Sequence, residues 1–321
     1  MNILGEMSSA SRVDALILHS KDMGVSALKS ELAQGEKMKQ GLVMEGGAMR
    51  GMFTAGVLDV LMENGISFDG AIGVSAGATF GCNIKSGQKG RAIRYNLKFC
   101  GDPRYGTFKS LLKTGDFFDV DFCYHEIPDV LDIWDKEAFA KNPMEFYVVA
   151  TDIESGEAVY HKCTDGGDGD LEWIRASASV PIISRYVEIE GKKLLDGGIA
   201  DSVPLAFFEK EGYSRNLVVL TQPDSYVKKK NKAVPVCNIK YRDYPAFKEV
   251  FANRHIRYKA NIDYIREQEA KGVAFVIRPP YKLDLSSAEK NPEKLKKAYE
   301  LGRSEASIAI NERGLVEWLA K

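Results

Sequence analysis

Residues 68–84 read FDGAIGVSAGATFGCNI: a short apolar run, a serine set between glycines, then small and apolar residues at helical spacing. The run 68–74 has the length and composition of a buried strand and 76–84 those of a helix, so the chain must turn sharply at Ser75. The same order occurs just upstream. Residues 41–45 (GLVME) form another apolar run ending in Gly46-Gly47, and 54–64 (TAGVLDVLMEN) is apolar at helical spacing until Gly65 stops it. Strand, glycine turn and helix, twice in succession, predict βαβ units and hence an α/β fold whose mainly parallel sheet is covered by helices.

Working outward, further strands are expected at 145–150, 158–161, 217–221 and 273–277, and helices at 174–178, 246–270 and 292–311. Residues 1–40 are polar, with Gly24, Gly35 and a weak helical pattern around Ala27, Leu28 and Leu32; they read as an extension before one domain, 41–321. The stretch 101–143 is long, aromatic and acidic, with Phe117, Phe118, Phe122, Tyr124 and Trp134. It reads as a helical insertion packed on the core, in preference to a cap over a site, because aromatic side chains are usually core.

Composition narrows the classes. Across 321 residues the formal net charge is -1, which gives no global attraction to nucleic acid. The five cysteines are scattered, odd in number and never Cys-x-x-Cys, as expected of free thiols in a reducing compartment. His161 and Cys163 would share one face of a strand, but no further ligands stand at suitable spacing, so no metal site is expected. Nothing approaches the roughly 18 consecutive apolar residues of a membrane span, and no basic segment opens a signal peptide. A soluble cytoplasmic protein is the expectation, with peripheral membrane contact left open. The run Lys228-Lys-Lys-Asn-Lys232 reads as a solvated basic loop, with anionic head groups as its alternative partner.

Three short segments carry chemistry. Gly73-Val-Ser75-Ala-Gly77 is a Gly-x-Ser-x-Gly string, which a glycine-rich chain produces by chance often enough that the string alone proves little. Its place between strand and helix is what makes it a candidate nucleophile elbow. There the helix amide ends face charge forming at Ser75; the plainer alternative is a serine that only caps the helix. The segment 45–51 (EGGAMRG) again joins strand to helix and exposes N–H groups to an anion. A dinucleotide fingerprint would need glycine at Ala48, and a phosphate-binding P-loop would need Lys and then Ser or Thr after Gly51, where Met52 and Phe53 stand. Both fail on spacing, which leaves an oxyanion hole. Finally, 194–198 (LLDGG) places Asp196 at a strand end. A serine hydroxyl needs a base, and the histidines are only four: His19, His125, His161 and His255. Asp196 is suited to that work if burial raises its proton affinity above the ordinary value of about 3.9. Asp201 is the rival carboxylate.

The ordered set Gly46-Gly47-Ala48-Met49-Arg50-Gly51, Gly73-Val-Ser75-Ala-Gly77 and Asp196-Gly-Gly198 resembles the patatin-like phospholipase family, whose bacterial single-domain members match from about Gly41 onward. The block Arg175-Ala-Ser-Ala-Ser-Val-Pro181 resembles the small-residue segment that family carries before its aspartate. The resemblance implies a three-layer α/β/α sandwich, a Ser75–Asp196 dyad without histidine, and acyl-ester hydrolysis of lipids or phospholipids with no metal and no cofactor. It also implies an oxyanion loop of Gly46, Gly47 and Ala48, with Arg50 either supporting that loop or meeting a phosphate. Ala48 departs from the family's glycine: it still supplies an N–H but resists φ > 0, so a catalytically silent relative is an alternative.

Two other readings compete. A Ser–Asp–His triad is permitted by chain order through His255, although Arg254-His-Ile-Arg257-Tyr-Lys259 reads as a basic helix face and not as a loop. A non-catalytic module could use the glycine loops to hold an anionic ligand. For the substrate, the aromatic residues at 117–124 would offer an acyl chain an apolar trough, unless they only pack.

Overall fold

A computed structural model describes residues 38–321, so the expected amino-terminal extension, with its helical pattern and His19, falls outside the described residues save at its very end. Strand β1 (Gln40–Met44) leads through a 3-10 turn at Ala48–Arg50 into α1 (Gly51–Glu63), and β2 (Gly70–Val74) leads into α2 (Ala76–Lys85). Three helical pieces follow: α3 (Arg91–Phe99), α4 (Phe108–Thr114) and a wide, π-wound segment over Phe122–Leu131. Next come α5 (Lys136–Lys141), β3 (Glu145–Asp152), β4 (Ala158–Cys163) and α6 (Asp168–Ser177). The hairpin β5 (Val187–Ile189) and β6 (Lys192–Asp196) precedes α7 (Leu205–Lys210), β7 (Arg215–Val219) and α8 (Val234–Lys240). The chain closes with α9 (Pro245–Ala270), β8 (Ala274–Ile277), α10 (Pro292–Asn311) and α11 (Leu315–Leu319).

The eight strands form one sheet. β1 pairs in parallel with β2 and β7, β2 with β3, and β7 with β8, while β4, β5 and β6 add antiparallel pairings at the β3 end. The two parallel strands that open the sheet are buried along almost their whole length, as strands covered on both faces must be. Alternate side chains divide the core. Leu42, Met44, Phe146, Val148, Leu217 and Val219 pack beneath α1, α2, α6 and α10. Val43, Ile72, Val74, Val149 and Val218 pack against Leu205 and Phe208 of α7 and Ile265 of α9. Helix, sheet, helix: the fold is the three-layer α/β/α sandwich. Each fully buried Leu or Phe in these layers stabilises it by about 1.5–3 kcal/mol.

Most expected elements are present with shifted ends. β2 begins at Gly70 and not at 68 because the Asp69 carboxylate accepts the Gln40 N–H, 2.8 Å away, and so ends the preceding turn. β7 runs Arg215–Val219 and stops short of Thr221, whose N–H turns aside to Glu45. The helix expected at 174–178 is instead α6, longer at its amino end, where Asp168 and Asp170 favour the first turn.

The strand β3 places the site. Its residues 146–149 pair on one edge with β4 and on the other with β2, and at Ala150 and Thr151 β4 still holds the first edge. β6, which pairs with Ala150, Thr151 and Asp152, must therefore lie on the same edge as β2, arriving head-on from the opposite direction. Val74 is opposite Val149 and Asp196 is opposite Ala150, so the ends of β2 and β6 meet.

The insertion 101–143 packs on the core, as expected, and it also walls a cavity. Its far end is anchored by Asp132, a buried carboxylate that takes two guanidinium N–H bonds from Arg94, both 2.7 Å, while Arg91 donates to the Asp132 carbonyl. Phe122 and Trp134 are buried, whereas Phe118 and Tyr124 are only partly covered and face inward on a space beside Ser75. Among the described residues no helix is long and apolar enough to cross a membrane, and all five cysteines are free.

Candidate active site

Ser75 sits on the turn between β2 and α2 with φ 54° and ψ -119°, a conformation that costs about 1–3 kcal/mol for a residue with a Cβ. Gly73 and Gly77 make this turn possible. A Cβ on Gly73 would strike the Gly77 carbonyl, and one on Gly77 would lie 2.5 Å from the Met44 carbonyl oxygen of β1. The strained serine is held by its surroundings: its N–H donates to Ser177 Oγ at 2.9 Å, and its carbonyl accepts the N–H groups of Ala78 and Thr79. Ser75 is thus more than a helix cap; its own side chain makes no cap bond to α2.

That side chain donates instead to Asp196. Ser75 Oγ lies 2.6 Å from Asp196 Oδ2, with no imidazole between them. Asp196 Oδ1 accepts the Gly198 N–H at 2.8 Å, the Asp196 N–H donates to the Ser179 carbonyl at 2.8 Å, and Thr151 Oγ1 donates to the Asp196 carbonyl at 2.9 Å. Burial pushes the Asp196 carboxyl above its ordinary value, against the opposing pull of Arg254, the Ser75 hydroxyl, the Gly198 N–H and Lys228. The small-residue block 175–181 therefore has a use its sequence did not reveal: Ser177 holds the backbone of Ser75 and Ser179 holds that of Asp196.

Gly46, Gly47 and Ala48 border the same hollow, and the N–H groups of Gly46 and Gly47 have no protein acceptor among the described residues. Ala48 adopts φ 49°, the left-handed region it was expected to resist, so the turn carries strain of about 1–2 kcal/mol that glycine would not. Above the loop Glu45 is fully engaged, accepting from the Thr221 N–H and hydroxyl and from Tyr258 OH, the last at 2.9 Å. Arg50 is half-buried, and its Nε has no partner among the described residues.

Two spaces meet at Ser75. One is narrow and apolar, about 130 Å³, and runs past Phe80, Tyr95, Phe118, Tyr124, Leu171 and Ile174. The other is wider, about 340 Å³, and holds Asp196 together with Arg50, Lys228 and Arg254. None of these three cations is within ion-pair distance of a carboxylate among the described residues. Lys228 is a correction to the solvated-loop reading: it turns inward, half-buried, with Nζ 4.3 Å from the Tyr258 ring centroid. Burial, with Arg254 close by, pulls its ammonium down to about 7. Arg254, expected on a solvated helix face, instead donates to the Gly198 carbonyl and lines this space. Helical periodicity alone could not have told which side of α9 meets the sheet end.

The remaining candidates lie elsewhere. Asp201 accepts from Tyr160 OH and Asn261 Nδ2, 2.9 and 3.1 Å away, and touches neither Ser75 nor its cavities. His255 is on α9 with its Nδ1 shielded and without a partner among the described residues, bonded to neither member of the Ser75–Asp196 pair, which removes the basis for a triad. His161 and Cys163 do gain a third neighbour, Asp170, all within 4.8 Å. However, Asp170 Oδ2 already accepts the N–H groups of Thr164, Asp165 and Gly166, and Oδ1 faces His161, so the carboxylate serves to close a turn.

A family model described as patatin-like phospholipase matches residues 42–208, and another, described as a domain of unknown function (DUF6363), matches 244–315. The protein YjjU of Escherichia coli (strain K12) is 31% identical over 200 residues, covering 57% of this chain and 52% of that protein. An NTE family protein of Mycobacterium tuberculosis (strain H37Rv) is 29% identical over 174 residues, covering 51% and 44%. The chain thus spans about half the length of these relatives. Among solved structures, VipD from Legionella pneumophila aligns with a TM-score of 0.43 and 14% identity over 84% of this chain and 66% of that one, too distant a likeness to add to the topology above.

Proposed function

The chain belongs to the patatin-like phospholipase family, and on that premise we propose that it is a serine acyl-ester hydrolase of lipids that works through Ser75 and Asp196. The observation that carries the reading is the direct 2.6 Å bond from the Ser75 hydroxyl to a buried carboxylate. Asp196 Oδ2 takes the hydroxyl proton as Ser75 Oγ attacks the ester carbonyl carbon. The carbonyl oxygen, now negative, is received by N–H groups of the 46–48 loop, with the amino end of α2 adding its positive dipole. The carbon–oxygen bond to the alcohol then breaks, and Asp196 returns its proton to the departing oxygen. Water, deprotonated by Asp196 in turn, attacks the acyl-serine and regenerates the hydroxyl as the fatty acid leaves. The raised proton affinity of Asp196 suits both halves of this cycle.

The two spaces suggest how the substrate lies. The narrow apolar one accepts the acyl chain, and the cationic one accepts the alcohol side. Arg50 and Arg254, joined by Lys228 below about pH 7, outnumber the Asp196 carboxylate on the open side of this hollow, which favours a leaving group bearing phosphate.

A fluorophosphonate probe tests the proposal. Labelling should fall on Ser75, vanish in Ser75→Ala and drop sharply in Asp196→Asn, and each substitution should lower ester turnover by about 10³-fold or more. A folded protein that takes no label, or an Asp196→Asn variant with full activity, would sink it.

A further inference from the structure

Two short helices near the mouth of the cationic cavity bury almost nothing. α4 buries none of its seven residues, and its Phe108 and Leu112, one turn apart on one face, are 73% and 89% exposed. α8 buries Cys237 alone; its Val236 and Ile239 are 49% and 77% exposed, and Val227 just before it is 75% exposed. The strip 182–185 lies between the two helices. Lys240 of α8 donates to the Ile182 and Ser184 carbonyls, while Asp116, just after α4, clamps Arg185 and the Phe117 N–H reaches the Ile183 carbonyl. Phe108 also lines the cavity that holds Ser75, so this apolar surface continues into the site.

The two segments that carry these helices are basic, although Arg104 pairs with Asp102 and Glu126 and Arg242 with Asp243 just outside them. Over the whole chain Lys and Arg number 44 against 45 Asp and Glu. Yet residues 103–115 and 225–242 contain no acidic residue at all, while carrying Arg104, Lys109 and Lys113 in the first and Lys228, Lys229, Lys230, Lys232, Lys240 and Arg242 in the second. Lys109, Lys113, Lys229, Lys230 and Lys232 are exposed, and among the described residues none pairs with a carboxylate. Some surface lysines elsewhere pair, as Lys271 does with Glu267 and Lys193 with Glu154. Others such as Lys98 and Lys210 do not among the described residues, so what sets these two segments apart is that they carry no acid of their own. Apolar side chains standing outward among unpaired lysines suit one solvent boundary: an interface with apolar depth beneath a negatively charged surface.

We propose that α4, the 227–232 loop and α8 form a docking face for an anionic lipid bilayer, which sets the mouth of the cavity on the membrane. The proposal rests on the lipid-hydrolase reading for its purpose, but its physics is independent of turnover. Phe108, Leu112, Val236 and Ile239 enter the acyl boundary, and the lysines meet the head groups.

Co-sedimentation with vesicles tests this, using wild type and Ser75→Ala so that binding is read without hydrolysis. Both should bind vesicles containing phosphatidylglycerol, bind pure phosphatidylcholine far less, and be released by about 0.5 M salt. Lys229→Glu with Lys230→Glu should weaken partitioning by about 20-fold or more, since each lysine near an anionic surface contributes about 1 kcal/mol. Leu112→Ser with Ile239→Ser should weaken it comparably. Both double variants should hydrolyse a soluble short-chain ester as wild type does, which also certifies their fold. No vesicle binding, equal binding to neutral vesicles, unchanged binding by the variants, or lipid-free self-association abolished by the same substitutions would each overturn the docking face. Vesicle binding by a protein that hydrolyses nothing would instead overturn the hydrolase reading and leave the docking face standing.

Discussion

The two spaces that share Ser75 are built by opposite rules. The apolar one is walled mainly by packed rings: Tyr95 and Phe80 rings lie 6.4 Å apart, and Phe118 meets Tyr105 edge-on at 6.0 Å. The cationic one leaves Arg50, Lys228 and Arg254 without a carboxylate at ion-pair distance, and a buried Arg50 Nε without any partner, among the described residues. A packed wall selects by shape, because each methylene that fits or fails to fit is worth about 1–3 kcal/mol. An unpaired charged wall selects by charge, and its selectivity can be titrated. One substrate bridging both would be read for chain length on one side of the serine and for charge on the other.

The largest break in this contrast should come from the packed side. Ile174→Trp projects a bulkier ring into the apolar space and should lower kcat/KM for long-chain esters by about 100-fold, while acetyl esters lose less than about 3-fold. Equal losses at both lengths, read in a chain-length series, would mean that the acyl chain lies elsewhere. The charged side should give a smaller, pH-dependent effect. Lys228→Ala should raise KM for an anionic phospholipid about 10-fold, with kcat and neutral esters little changed. Because Lys228 is a cation only below about 7, wild-type KM for the anionic substrate should climb as pH rises through that value and converge on the variant's. A wild-type KM flat across that range would remove Lys228 from recognition. The smallest effect belongs to the turn between the two spaces. Ala48→Gly relieves a left-handed alanine and should stabilise the protein by up to about 1 kcal/mol, about 2 °C in Tm. A lowered Tm in thermal denaturation would show that the methyl group packs usefully.

The sequence disclosed most where local chemistry decides the conformation. The turn at Gly73–Gly77 is dictated by clashes within a few residues and against the neighbouring strand, so its glycines announce it. Asp196 could be singled out because a strand end followed by two glycines leaves a carboxylate little else to do. Lys228 and Arg254 could not be placed, since their direction depends on how α9 and the loop before α8 meet the sheet, which no spacing records. Ser177 and Ser179 were visible as a small-residue block, yet their bonds to Ser75 and Asp196 exist only once α6 lies beside both strand ends. The π-wound segment with Pro128 inside it obeys neither helical nor strand periodicity and could be read only as an insertion.

The head-on meeting of β2 and β6 along one edge of β3 has a consequence for how such proteins can diversify. The relative position of Ser75 and Asp196 is fixed by a ruler a few residues long, Val149 to Ala150, and not by the long chain that separates residues 75 and 196. Whole segments such as 101–143 can lengthen, shrink or be exchanged without moving that ruler. New preferences for a ligand could then accumulate in the walls while Ser75 and Asp196 keep their address.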